Sequence, residues 1–393
     1  VKYRFEAFGG IVALEDPPLV AFVDEEFMRE RGFGSSALWG SARKHLTAPI
    51  EAHFATTNAC NFRCPGCYMA SGRKMDGEYD TDGAKRVLSS LAKAGVFHVA
   101  LGGGEATLRE DLFELAAHAR SVGIVPNLTT NGTLVTEANA PSFRVFGQVN
   151  VSVDAVGVEA DRTRDPGTFE ASVRALCLLR GAGVAAGINC VLHRHNFDRM
   201  ADVVALAAEL GLAEVEFLRY KPAGRGKERY HEMKLLPEQG QALFPTVLRL
   251  LEQHRVELKV DCSFVPFLAA HAPPLELLQR FGVYGCEAGN VLLAVRPDGR
   301  MSGCSFIEET CGRVEGLGEA WEGSAQFRAF RSWTEAAPEP CSTCPYLSVC
   351  RGGCRAVAIF AGGGFAEPDP ECPRVLAHRA APASWLCQVE GGR

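Results

Sequence analysis

The sequence predicts an α/β protein: a parallel sheet covered by helices, followed by a smaller segment held together by metal. Two observations lead there. From residue 50 to about residue 255, short apolar runs alternate with amphipathic stretches. Beyond about residue 256 that periodicity fades, and Gly, Pro and Cys become dense, as in Gly352-Gly353, Gly362-Gly363-Gly364 and Pro338-Glu339-Pro340. A segment with so little periodicity needs a source of stability besides a core, and bound metal supplies one.

Residues 1–48 form an N-terminal extension, in which Arg4 to Val23 reads as a β-hairpin turning near Glu15-Asp16-Pro17-Pro18. Ile50 to Phe54 alternates as a strand does. Asp80 to Ala94 carries Ala84, Val87, Leu88 and Leu91 at helical spacing, and Gly95 closes it. Val96 to Leu101 is an apolar strand, and Leu112, Leu115, Ala116 and Ala119 mark a helix that Gly123 ends. Strands are expected over 124–129, 148–153, 184–191 and 213–219, and helices over 169–180, 200–210 and 237–254. Roughly six β-α units result, which suit either an incomplete barrel or a doubly wound sheet. The core domain is expected over 49–255 and the metal-held domain over 256–393.

Of the 393 residues, 47% are hydrophobic and 22% charged, an ordinary globular balance that excludes disorder and fibrous structure. A net charge of −6 argues against a nucleic-acid partner, whose phosphates are normally met by Lys and Arg. No run of 18 uncharged apolar residues suggests a membrane span. The opening Val1-Lys2-Tyr3-Arg4-Phe5-Glu6 does not lead into an apolar stretch, so a cytoplasmic chain is expected. Against this plain background stand 15 cysteines. The cytosol keeps thiols reduced, so their number points to metal or redox chemistry.

Cys60-Asn61-Phe62-Arg63-Cys64-Pro65-Gly66-Cys67-Tyr68 has the spacing C-x3-C-x2-C and follows the first strand of the alternating region, where α/β active sites lie. Three thiolates on one loop serve three irons of a cubane and leave the fourth open, whereas structural zinc asks for four ligands. Gly102-Gly103-Gly104-Glu105 follows the second strand, Thr129-Thr130-Asn131-Gly132 ends the third, and Ser152-Val153-Asp154 ends the fourth, with Ser152 and Asp154 sharing one face. Arg164 follows in Arg162-Thr163-Arg164-Asp165-Pro166-Gly167. A guanidinium fork suits a carboxylate bidentately.

In this order the segments resemble the radical S-adenosylmethionine (SAM) superfamily, with Ala106 where the family carries Pro. The resemblance implies a partial (β/α)6 TIM-like barrel. It implies a 4Fe-4S cluster on Cys60, Cys64 and Cys67, and SAM contacts from Tyr68, Gly103, Gly104, Glu105, Asn131, Ser152, Asp154 and Arg164. Glu105 would take the SAM ammonium and Arg164 its carboxylate. The chemistry implied is reductive cleavage of SAM to a 5′-deoxyadenosyl radical that abstracts a hydrogen atom. No catalytic acid or base is singled out.

The later cysteines run Cys286-x12-Gly299-x4-Cys304, then Cys341-x2-Cys344-x5-Cys350-x3-Cys354, then Cys372 after 17 residues. This resembles the SPASM domain, which implies two auxiliary iron-sulfur clusters: an outer one on Cys341, Cys344, Cys350 and Cys372, and an inner one on Cys286, Cys304 and Cys354. Cys262, Cys311 or an open iron would complete the inner one. Cys177, Cys190 and Cys387 read as packing residues.

The resemblance is to peptide and cofactor maturases of the mycofactocin and pyrroloquinoline quinone type. It implies a peptide or protein substrate, an electron donor such as flavodoxin or ferredoxin, and a separate peptide-recognition protein, since the N-terminal extension is short for a whole winged helix. The alternative is a small molecule or tetrapyrrole. Sulfatase maturases carry Asp after the cysteine matching Cys304; Ser305 stands here. Lys221 and Arg225 are candidates to meet an acidic peptide. Six β-α units leave a wider lateral opening than eight, which suits a chain substrate.

Overall fold

The computed structural model describes residues 1–15, 18–157 and 164–381. Its N-terminal part is a three-stranded antiparallel sheet of β1 (Lys2–Glu6), β2 (Gly9–Glu15) and β3 (Pro18–Asp24), in the order β1-β2-β3. The expected hairpin thus gains a strand. Gly9, at φ +139°, permits the crowding: a Cβ there would lie 2.3 Å from the Val23 carbonyl oxygen. The turn expected at Asp16-Pro17 lies outside the described residues. Helix α1 (Glu25–Glu30) follows, capped by the Asp24 carboxylate.

The main sheet has nine strands. Seven run parallel in chain order: β4 (Glu51–Thr57), β5 (His98–Gly103), β6 (Val125–Thr130), β7 (Val149–Ser152), β8 (Ala186–Leu192), β9 (Glu214–Arg219) and β10 (Glu257–Val260). The intervening helices are α2 (Thr81–Ala94), α3 (Leu112–Ser121), α4 (Thr168–Gly181), α5 (Met200–Glu209), the short α6 (Tyr230–Met233) and α7 (Pro237–Gln253). Each neighbour in the sheet is the neighbour in sequence, so the sheet is wound in one direction as a partial barrel and the doubly wound option falls away. Alternation sorts the strand residues. Ala52, Phe54, Val99 and Leu101 pack outward against Ala84, Val87, Leu88 and Leu91 of α2, while Glu51, His53 and Ala55 line the lumen.

Residues beyond 256 contribute to the same sheet. β10 pairs with β9 at one edge. β11 (Leu292–Val295) pairs in parallel with β4 at the other, and β12 (Met301–Ser302) turns back on it. Leu293, Val295, Met301, Val314, Leu317, Trp321 and Phe327 join the principal core. The late segment therefore does bury apolar surface, contrary to the expectation from periodicity. Its strands of four and two residues are too short to show a repeat. The N-terminal sheet is tied to the end of the barrel where β4 begins. Arg4 donates to the carbonyls of Ala48 (2.8 Å), Pro49 (2.9 Å) and Gly95 (2.9 Å), at the chain entering β4 and the C-terminal end of α2.

One buried cation ties barrel to cysteine-rich segment. Arg219, the last residue of β9, donates to both oxygens of Asp369 (2.6 and 3.0 Å), to Glu371 (2.7 Å) and to the Ser263 carbonyl (3.1 Å). All three charged side chains are buried. Removing the arginine strands two carboxylates away from water. Arg219→Met is expected to cost about 3–5 kcal/mol, read as a lower denaturation midpoint; an unchanged midpoint would contradict this account of the junction.

Candidate active site

The cysteine loop springs from the end of β4. Its base is closed by Glu78, whose carboxylate accepts from Thr57 Oγ1 (2.8 Å) and from the amides of Asn58 (2.6 Å) and Met75 (2.9 Å). The glycine run leaving β5 lies directly against it. Gly104 donates to the Thr57 carbonyl and Glu105 to the Ala59 carbonyl, both at 2.8 Å. A Cβ on Gly103 would sit 2.3 Å from the Thr57 oxygen, and one on Gly104 2.0 Å from the Ala59 oxygen. These glycines admit backbone to backbone, whereas a Cβ on Gly102 would meet nothing within 4 Å and leaves lumen backbone open to a ligand.

Several side chains expected to face SAM are engaged by protein. Glu105 is buried and accepts from Thr107 N (3.1 Å), Thr107 Oγ1 (2.6 Å), Thr130 Oγ1 (2.7 Å) and Asn131 N (2.7 Å). It fastens the loops after β5 and β6 together. Asn131 passes the constraint on by donating to Asn61 Oδ1 (2.8 Å), between Cys60 and Cys64. Asp154 takes the fork of Arg164 at 2.7 and 3.0 Å and accepts from Val191 N at 2.9 Å. Arg164 stands beside the Cys64 thiol and lines the cavity with three donors outside that fork. Ser152 lines the cavity beside them. Tyr68 packs against Phe306, ring centroids 4.9 Å apart, and feels both Cys67 and Cys304.

The thiols fall into three electrostatically coupled groups: Cys60, Cys64 and Cys67; Cys286, Cys304 and Cys354; and Cys341, Cys344, Cys350 and Cys372. Burial pushes Cys60 and Cys341 up to about 11 and Cys304 up to about 12, so binding iron must release protons. Among the described residues no three His, Cys, Asp or Glu side chains are arranged for a single metal ion. A polynuclear cluster asks instead for one sulfur on each iron. Buried cations beside the thiols suit the negative charge of a thiolate-ligated cluster: Lys221 near Cys304 and Cys354, and Arg355 near Cys286 and Cys341. Cys190 is buried, Cys177 is exposed on α4 instead of packed, and Cys387 lies outside the described residues.

Lys221 and Arg225 are likewise not free for a peptide. Lys221 is buried, pairs with Asp261 and lies 4.5 Å from the Phe306 ring centroid. Arg225 donates to the carbonyls of Cys64 (3.0 Å) and Ser71 (2.8 Å). Gly224 brings their loop against Cys67 and Tyr68, where a Cβ would fall 2.5 and 2.4 Å from the two carbonyl oxygens.

The first two groups open on one cavity of about 1940 Å³ running through the barrel, and the third lies outside its wall. Its wall holds residues that motif reading passed over. Asn150 donates to Asn189 (2.9 Å) and Glu214 (3.0 Å), and Asn189 to Thr129 (3.3 Å). Ser305 Oγ lies 3.2 Å from His53 Nδ1, and His53 Nε2 lies 3.6 Å from Glu51. Burial, reinforced by neighbouring carboxylates, pushes Glu216 and Glu287 up to about 7. Burial depresses His193 to about 4, and its buried Nε2 has no hydrogen-bond partner among the described residues. The signal was present: Asn150 and Ser152 in β7 and Glu214 and Glu216 in β9, each pair two residues apart, mark an inward face that is wet.

Residues 54–207 match the Radical SAM superfamily, and residues 286–345 match an iron-sulfur cluster-binding domain, SPASM. The mycofactocin maturase MftC of Mycobacterium ulcerans is 32% identical over 88% of this chain and 96% of its own. The chain belongs to the radical SAM superfamily and carries a SPASM domain. An AdoMet-dependent heme synthase of Methanosarcina barkeri is 29% identical over 83% of this chain and 96% of its own. Among solved structures, Streptococcus suis SuiB bound to its precursor peptide SuiA superposes with a TM-score of 0.75 at 16% identity, covering 94% of this chain and 98% of that one, a likeness of fold. This radical SAM enzyme therefore works with SAM and a 4Fe-4S cluster, and with the auxiliary clusters that SPASM domains carry.

The glycine contacts make a direct test. Gly104→Ala is expected to displace the cysteine loop and to lower both iron loading there and SAM affinity at least tenfold, measured by iron analysis and equilibrium dialysis. Gly102→Ala should leave iron loading intact. Equal loading in both variants would show that the Gly104 approach is dispensable.

Proposed function

We propose that this enzyme modifies a peptide or protein segment, removing a hydrogen atom from it and leaving it crosslinked or otherwise oxidised. The observation that carries this reading is the cavity. At about 1940 Å³ it exceeds the roughly 300–1,000 Å³ of ordinary small-ligand pockets, and cofactor and substrate share it. It reaches from the cysteine loop past Cys304 and Cys286 to Phe8 and Phe22, which stack at 5.9 Å and remain exposed on the N-terminal sheet. Apolar rings at the border of a polar lumen suit a peptide side chain.

In this reading Cys60, Cys64 and Cys67 hold the SAM-binding cluster, Cys286, Cys304 and Cys354 the inner auxiliary cluster, and Cys341, Cys344, Cys350 and Cys372 the outer one. When bound, cluster and SAM supply a 5′-deoxyadenosyl radical by reductive cleavage of the sulfonium. The chain's part is to orient and to exclude water. The backbone at Gly102 and the face of Tyr68 receive SAM, and the Arg164 donors outside the Asp154 fork meet its carboxylate. Glu105 and Asn131 hold the cysteine loop in register as positioning residues. Glu216, raised to about 7 by burial and by neighbouring carboxylates, is a lumen carboxyl suited to take or give a proton at working pH. Reductive cleavage of SAM consumes one electron, which a donor such as flavodoxin or ferredoxin would supply, and the electron released by an oxidised product would pass to the inner auxiliary cluster. The absence of a helix long and apolar enough to cross a membrane among the described residues agrees with work in the cytoplasm. A separate peptide-recognition protein would dock at the N-terminal sheet, whose outer strands offer unpaired edges.

The likeness to heme synthases supports a second reading, a tetrapyrrole substrate. The two separate in one assay. The reconstituted enzyme with SAM and reductant is given either a small peptide encoded beside its gene or a porphyrin. The peptide is expected to stimulate 5′-deoxyadenosine release and to change mass in step with it. Stimulation by the porphyrin alone would move the assignment to the second reading.

A further inference from the structure

The inner auxiliary cluster, as assigned above, has three thiolates: Cys286, Cys304 and Cys354. Two other cysteines compete to be a fourth, and the structure separates them. Cys311 bonds its thiol to Ser324 and lies outside the cavity wall. Cys262 opens the 3₁₀ turn Cys262–Phe264 just after β10 and lines the cavity together with Cys286, Cys304 and Cys354.

Its position is fixed from three sides. Asp261 bonds through its amide to the Phe217 carbonyl (3.0 Å), and its carboxylate caps the turn at Ser263 N (3.0 Å). Arg219 then links the Ser263 carbonyl (3.1 Å) to Asp369 (2.6 Å), and Asp369 accepts from the amide of Cys354 (3.0 Å). The same turn leads into α8 (Val265–Ala269), and a Cβ on Gly353 would lie 3.0 Å from Pro266 Cγ, so the two cysteine-bearing segments touch.

At the centre sits Lys221. Its ammonium is buried, pairs with Asp261, and interacts with the thiols of Cys262, Cys304 and Cys354, while Cys262 also feels Cys286. A single carboxylate compensates a lysine that faces several thiols. Neutral thiols give it nothing further, whereas a four-iron cluster with four thiolates carries net negative charge and does.

We propose that Cys262 is the fourth ligand of the inner auxiliary cluster, so that the protein closes every iron of it. A closed cluster offers no iron to a substrate atom, and the open coordination position in the cavity is then the one at the Cys60, Cys64 and Cys67 loop. The proposal rests on the assignment of Cys286, Cys304 and Cys354.

The test reads the auxiliary clusters alone, in full-length Cys60/Cys64/Cys67→Ala protein reconstituted anaerobically, without substrate. Adding Cys262→Ala is expected to remove about one iron in eight on mild oxidation and to let added β-mercaptoethanol shift the EPR spectrum. Cys311→Ala should do neither. Cys286→Ala serves as the reference. If it alters the spectrum and Cys262→Ala does not, the proposal is wrong while the three-ligand assignment stands; if neither does, that assignment fails as well. Should Cys262→Ala be insoluble, Cys262→Ser decides: a shifted EPR spectrum and potential support ligation, and a spectrum equal to the parent's refutes it.

Discussion

The arrangement depends on holding cysteines from three distant parts of the chain around one lumen, and the buried guanidinium of Arg219 is the interaction that does so. It ends β9, reaches the Ser263 carbonyl beyond β10, and binds Asp369 and Glu371 of the last cysteine-bearing loop. Asp369 in turn holds the Cys354 amide, and Glu371 accepts from the Tyr230 hydroxyl in α6. A charge buried this deeply is costly unless every partner is present. The network therefore specifies one relative placement of barrel and cysteine-rich segment, where an apolar contact would tolerate several.

The opposite side of the lumen is built on backbone proximity. Glycines at 103 and 104 let the strand after α2 press on the cysteine loop, and Glu105 and Asn131 lock that contact with hydrogen bonds. Gly224 does the same for the loop after β9, which carries Lys221 toward one thiol group and Arg225 toward another. Tyr68 and Phe306 fill the space between. The two sides meet through these small contacts, so the walls of the cavity are closely packed at the cysteine loop and polar along β7 and β9.

Much of this was legible in the sequence, because the features concerned are local. The six core strands, their helices, the cysteine spacings and the glycine run each occupy a few consecutive residues with a recognisable pattern. What was not legible is nonlocal. Nothing in Arg4 to Val23 announces that Lys2 to Glu6 adds a strand, nor that Arg4 will tie the sheet to the chain after α2. Residues after 256 show no period because β11 and β12 are too short to carry one, yet these strands extend the sheet beside β4. Site residues were found by type, but their partners were not. Glu105 and Arg164 look the same in sequence whether they face a ligand or a neighbouring side chain, and here Asp154 and the loop amides take part of their capacity. The lumen carboxylates and His53 carry no motif: alternation marks them as strand residues, and only the folded sheet shows that their shared face borders a cavity.

Iron stoichiometry tests the account most directly. Three separate cysteine groups, each assigned one four-iron cluster, set the expected count. Mössbauer spectroscopy on the anaerobically reconstituted protein is predicted to find about 12 irons per chain, all in iron-sulfur clusters, falling to about eight when Cys60, Cys64 and Cys67 are replaced by Ala. Tightly bound zinc without iron-sulfur charge-transfer absorption, or the loss of all iron in that triple variant, would contradict it.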